Sequence, residues 1–183
     1  PHKDKKYQTG PRHLAALGMV TDAHWGSDIH AVVGSAASLD RLSRLETQYK
    51  EHWGIKIFYA TKAGPSTHDP TTVLLYVRRK WADRVVEGSV YRHKHGRYLH
   101  VILDGGDKLV MTAVVYAPPR SNARAGPITT DLTQAMQSSM MTLKHWCTIL
   151  NKPGLLFVMG DTNEAPNPST DRANNEAADR RRS

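Results

Sequence analysis

Cysteine is almost missing from this chain: Cys147 stands alone among 183 residues. No disulfide can form within it, which suits a reducing compartment. The apolar neighbours of Cys147 favour a buried small side chain over a reactive thiol. Long hydrophobic runs are missing too. No segment approaches the length of a membrane span and no signal peptide is visible, so no membrane partner is expected. The sequence shows no internal repeat. Hydrophobic residues make up 39% and the mean hydropathy is -0.52, low for a compact protein. Charged residues at 23% are ordinary, which excludes wholesale disorder. The chain starts at Pro1 rather than Met, as a processed product or fragment would.

Acidic residues are outnumbered, 17 against 25 Lys and Arg, for a net charge of +8. The pI is near 9.7. That balance favours a polyanion as neighbour, nucleic acid above all. The length suffices for one domain with a sizeable core.

Along the chain, residues 1–12 are polar and basic and are expected to be disordered. HLAALGMV (13–20) and DIHAVVGSA (28–36) read as strands. SLDRLSRLETQYKEHW (38–53) reads as a helix, with Leu39, Leu42, Tyr49 and Trp53 on one face and Leu45 beside them. Ser38 is its N-cap and Gly54 its stop. IKIFYA (55–60) and TVLLYV (72–77) read as a hairpin with a long connection. GRYLHVILD (96–104) and KLVMTAVVYAPP (108–119) form a second pair, joined by Asp-Gly-Gly-Asp. Alternation puts Tyr98, His100 and Ile102 on one face and Leu99, Val101 and Leu103 on the other. A helix over 129–150 follows, its Met136 and Met140 read as core filler. LLFVM (155–159) is a continuous apolar strand, a pattern that predicts burial on both faces. The tail, 169–183, is polar and basic.

That strand ends in Gly160, Asp161, Thr162 and Asn163. As a turn this needs no further explanation. Yet chemistry in open α/β sheets sits outside the carboxyl ends of buried strands, and an earlier strand ends in Tyr116, Ala117 and Pro118. The order of these elements resembles the endonuclease/exonuclease/phosphatase superfamily, and most of all the apurinic-type endonuclease domain of LINE-like retrotransposons. In that family one strand ends in Tyr-x-Pro and, a helix later, a buried strand ends in Gly-Asp-x-Asn. Gly96–Arg97 opening a strand, Glu164 after the Asn, and Asp171–Arg172 also match the LINE-like branch. The resemblance spans roughly residues 13–172.

The resemblance implies an α/β fold: two packed, mixed but mainly antiparallel sheets flanked by helices in four layers. It would occupy residues 13–168 and be incomplete at its C-terminal side. It implies a metal-dependent phosphodiesterase or endonuclease acting on DNA, with Mg²⁺ or Mn²⁺ as cofactor if active. Asp161 would orient or activate water, Asn163 would donate to a phosphate oxygen, and Tyr116 would stabilise developing charge. Lys94, Arg97, Arg120 and Arg124 are the candidate nucleic-acid contacts. His93 and His95 read as surface residues or phosphate contacts.

Three parts of the family pattern are absent. Val33 and Gly34 stand where a strand should end in Gln-Glu, the metal ligand. Ala15 and Ala16 stand where the first strand carries Asn. No Ser-Asp-His follows Asn163. Glu46 and Glu164 are the substitute metal candidates. An impaired enzyme is therefore expected, or else a non-catalytic relic that binds nucleic acid or serves as a scaffold. A phosphatase of lipids or sugars on the same fold is a third reading, disfavoured by the basic charge. An intracellular, nuclear location is expected. So is exposed apolar surface at the incomplete edge, covered by a protein partner or a missing C-terminal segment.

Overall fold

The computed structural model describes residues 27–62, 64, 69–118 and 125–163. The expected strand 13–20, the basic N-terminus, Arg120, Arg124, Glu164 and the tail lie outside the described residues.

Two sheets pack face to face with a long helix on each outer side. Strand β1 (Ile29–Ala37) leads into helix α1 (Leu39–Trp53), which is followed by β2 (Ile55–Ala60) and β3 (Asp69–Arg78). The first sheet has the order β1-β3-β2 and is antiparallel throughout. A four-residue helix, α2 (Arg79–Ala82), connects to β4 (Tyr91–Arg92), β5 (Tyr98–Asp104) and β6 (Leu109–Tyr116). Helix α3 (Ala125–Leu150) then returns the chain to β7 (Gly154–Asp161). The second sheet runs β4-β5-β6-β7, and only its β6–β7 pair is parallel. A parallel neighbour requires a crossover, and α3 supplies it.

The alternation of apolar residues decides the layers. Phe58, Val73, Leu75 and Val77 from the first sheet meet Leu99, Val101, Leu103 and Val114 from the second, all buried. On the outer face of the first sheet, Ile55, Ile57, Leu74 and Tyr76 pack under Leu42 and Tyr49 of α1. On the outer face of the second, Tyr98, Ala113 and Val115 pack under Leu132 and Ala135, and Ile102, Leu109 and Met111 under Leu143 of α3. Each fully buried aliphatic side chain contributes about 1.5–3 kcal/mol. Polar contacts also cross the last layer, from Ser139 to His100 and to Tyr98. Ser139 Oγ donates to the Ala135 carbonyl and lies 2.8 Å from His100 Nδ1.

The helix caps are those the sequence predicts. Ser38 Oγ accepts from the Arg41 N–H at 3.3 Å, and Gly54 closes α1 at φ 60. Helix α3 starts a turn before the expected position. Two elements went unseen in the sequence: β4 has two residues and α2 four, both too short for a pattern to repeat.

Burial of LLFVM is corrected by the structure. Strand β7 is the edge of its sheet, and nothing among the described residues pairs with its far side. Leu155, Leu156, Phe157 and Val158 are all exposed, Phe157 at 55%. Met140 is corrected as well: it is 59% exposed, although Met136 does pack on the core.

Candidate functional site

The strands bring one end of the sandwich together. Strand β1 ends at Ala37 against the start of β3, and β2 ends at Ala60 beside it. Thr71 Oγ1 donates to the His95 carbonyl, and Arg92 Nε donates to the Tyr59 carbonyl at 3.0 Å. These contacts place the carboxyl ends of β1 and β2 beside the β4–β5 turn. The parallel pair β6 and β7 ends at the same place.

There the register makes a row across three strands. Tyr98 pairs with Val115, so Arg97 comes opposite Tyr116, and Tyr116 pairs in turn with Asp161. Strand alternation turns all three toward the inter-sheet face. The Arg97 guanidinium sits 5.2 Å from the centre of the Tyr116 ring, and its Nη1 donates to the Tyr116 carbonyl at 3.2 Å. The Tyr116 N–H donates back to the Arg97 carbonyl at 2.8 Å. Arg97 is only 8% exposed, Tyr116 half-buried and Asp161 exposed. A cation, a phenol and a carboxylate thus run from the interior to solvent.

The Gly-Asp-x-Asn sequence has a local reason for each of its three named residues. Gly160 has φ 131, and a Cβ there would lie 1.9 Å from the Val115 carbonyl oxygen. Only glycine lets β7 run this close to β6. Asp161 accepts the Asn163 N–H at 2.7 Å, closing a turn in which Asn163 has φ 51. Asn163 Nδ2 donates to the Ala117 carbonyl, and the Ala117 N–H donates to the Asp161 carbonyl. The amide therefore ties the end of β7 to the end of β6. Nδ2 carries two hydrogens, so this bond uses half of its donor capacity.

The turn between β4 and β5 flanks the row. His93 is buried, which corrects its reading as a surface residue; His95 N donates to its Nδ1. Burial, then His95, push the His93 imidazole below its ordinary value. Gly96, at φ 72, turns the chain into Arg97. Lys94 and His95 both reach Asp131 on α3, at 3.1 and 3.3 Å. The hydrogen bond from Lys94 is the main reason the Asp131 carboxyl lies below the usual carboxylate range. No sequence signal pointed to Asp131, because its partners are far away along the chain.

The described residues at this end do not by themselves fit a divalent cation. Hard cations need several oxygen donors, usually more than one carboxylate. Val33, where the resemblance places Gln, packs in the same apolar cluster as Tyr116 and Met159. Gly34 has φ 67 at a bulge in β1 and brings no side chain. No group of three or more His, Cys, Asp or Glu among the described residues could hold a metal ion. Glu46 lies on α1 and lines a cavity of about 620 Å³ with Gly54, Ile55 and Arg79, at the start of β2 and so at the opposite end from Asp161.

Two crystal structures of TDP2 from Caenorhabditis elegans, one of them the selenomethionine form, match this chain at a TM-score of 0.51 and 16% identity. They cover 84% of it and 43% and 42% of their own chains. The shared fold is two mixed, mainly antiparallel sheets flanked by helices. A 3′ phosphatase, NExo, from Neisseria bound to a product DNA hairpin matches at 0.49 and 14% identity, over 85% of this chain and 54% of that one. At 16% identity the likeness to the two TDP2 structures shows the fold alone. The chain spans between 42% and 66% of the length of five of the solved structures it matches. No protein-family model and no curated protein matches. No helix among the described residues is long and apolar enough to cross a membrane.

Proposed function

We propose that this chain is an endonuclease-like domain, of the LINE-like kind, that holds the phosphodiester backbone of DNA at the carboxyl ends of β6 and β7, with its hydrolytic step impaired. The observation that carries this is the row Arg97–Tyr116–Asp161, which has the charged and polar groups of a phosphodiester site, while no group of three or more metal-ligating side chains stands among the described residues. The phenol of Tyr116 donates to a phosphate oxygen, with Arg97 holding the ring and adding positive potential. The second Nδ2 hydrogen of Asn163 is a further donor. Lys94, on the exposed turn, meets the neighbouring phosphate by leaving Asp131, an exposed ion pair of little net stability. The net charge of +8 supplies the long-range attraction. In a cation-dependent enzyme Asp161 would serve the water. Without the cation its charge repels the phosphate it faces.

This reverses the expected sign of one substitution. Asp161→Asn keeps the acceptor for the Asn163 N–H but removes the charge. It should tighten binding to a fluorescent DNA duplex about threefold in EDTA, by the size of one screened charge interaction. Lys94→Glu should weaken it several-fold and flatten its salt dependence. Loss of binding in Asp161→Asn, or no binding by the parent chain at 50 mM salt, would overturn the reading.

A further inference from the structure

Two donors of the β4–β5 turn converge on a single oxygen atom. Lys94 Nζ lies 3.1 Å and His95 Nε2 3.3 Å from the same Oδ2 of Asp131, on α3. To face a carboxylate at that distance, His95 Nε2 must carry its proton. The contact is not what holds α3 on its sheet. Leu132 and Ala135 do that, packed against Tyr98 and Val115. An exposed ion pair of this kind adds little to stability, and the Lys94 side chain is 69% exposed.

The turn is shaped by other bonds. The His93 N–H donates to the Tyr98 carbonyl and the Gly96 N–H to the His93 carbonyl, both at 2.9 Å. The His95 N–H donates to Nδ1 of buried His93, and Thr71 Oγ1 donates to the His95 carbonyl. Backbone and His93 thus form a fixed base from which an ammonium and a ring N–H reach outward to one point. Asp131 is the anion lodged at that point. A carboxylate oxygen between two such donors occupies the place a phosphate oxygen would take.

We propose that Lys94 and His95 form a second phosphate subsite, which Asp131 fills as a built-in phosphate mimic until a nucleic-acid backbone displaces it. The inference rests on the reading that the row Arg97–Tyr116–Asp161 holds DNA, and it adds a rule of selection to that site. Asp131 is tethered by α3, so its effective concentration at the two donors is in the millimolar range or above, as for short tethers. A lone phosphate at lower concentration loses that competition. A phosphate on a strand already held at Tyr116 is tethered as well, and Lys94 stands only three residues before Arg97. Its two unesterified oxygens serve one donor each, where Asp131 offers one oxygen to both. The subsite therefore selects a phosphodiester polymer over an isolated phosphate.

Fluorescence anisotropy with a labelled DNA duplex, in EDTA at low salt, tests the competition. Asp131→Asn should tighten binding about two- to fivefold, the size of an exposed ion pair that no longer has to break. In a Lys94→Gln/His95→Gln background the same substitution should leave affinity unchanged, because no donors remain to compete for. Removal of a repelling charge alone would give the same gain in both backgrounds. A purely structural Asp131 would give weaker binding. Either result would overturn the proposal. Inorganic phosphate supplies a test that needs no DNA. Titrated at constant ionic strength, it should shift the NMR signals of the His95 ring, assigned with His95→Gln, far more in Asp131→Asn than in the parent. Equal shifts in both chains, or none in either, would overturn the subsite while DNA binding by the parent left the proposed function standing. No DNA binding by any variant would overturn both.

Discussion

Strands β5, β6 and β7 lie side by side in one sheet and are equally apolar in sequence, yet their fates differ. From Tyr98 to Leu103 every residue of β5 is buried, and β6 is nearly so. In β7 only Met159 is as much as half-buried. The difference is not composition. Strand β5 has a neighbour on each edge, the other sheet on one face and α3 on the other; β7 has an edge with no described neighbour. The apolar character of a strand states what it could bury, and the elements around it decide what it does bury.

That contrast can be broken by truncation. Leu99→Ala in β5 should cost roughly 2–5 kcal/mol, whereas Phe157→Ala in β7 should cost the monomer about 1 kcal/mol or less. Urea unfolding of both variants at low concentration measures this. Equal losses would mean that β7 is covered in solution.

The buried layer between β5 and α3 should also be the acid-sensitive one. Burial pushes the His100 imidazole down to about 4 from an ordinary 6.5. The folded state therefore holds His100 neutral while the unfolded state takes up a proton below pH 6.5. Stability from this group is complete above 6.5, falls as the pH drops from 6.5 to about 4, and changes no further below. At about 1.4 kcal/mol per pH unit the full loss is about 3.5 kcal/mol. Urea midpoints across that range should fall, and His100→Gln should flatten the slope. An unchanged slope would remove His100 from the account.

Gly160→Ala probes the one place where β7 is tightly fixed. The new Cβ meets the Val115 carbonyl, but an edge strand can peel at its end, so the cost should be about 2–3 kcal/mol. The more telling outcome is a loss of DNA binding larger than the loss of stability, since peeling carries off the Asn163 donor. The smallest effect is expected in the first sheet. The Tyr76 hydroxyl is buried with no hydrogen-bond partner among the described residues, so Tyr76→Phe should be neutral or stabilise by about 1 kcal/mol. A clear destabilisation in thermal melts would mean the hydroxyl has a partner, such as a water.

Most of the fold was legible because local signals agreed with it. Ser38 and Gly54 bound α1, Asp104–Asp107 turns β5 into β6, and alternation sorts Leu99 from Tyr98. What was not legible depends on distant partners. Nothing local says that Arg97 lies under Tyr116, that His93 is covered, that Lys94 meets Asp131, or that β7 ends its sheet. At the site, the Tyr-x-Pro and Gly-Asp-x-Asn spacing located the strand ends. The sequence also pointed to a missing carboxylate at Gly34. It did not reveal that Val33 joins the same apolar cluster as Tyr116.

The central claim is that this end of the sandwich holds DNA without assembling a cation-dependent cleavage site. Nicking of supercoiled plasmid by the folded chain, with Mg²⁺ or Mn²⁺ and with Asp161→Ala in parallel, tests it most directly. The account predicts retarded but uncut plasmid with either ion. Nicking that appears with the metal and vanishes in Asp161→Ala would contradict it, and would mean that a carboxylate outside the described residues, Glu164 first, completes the site.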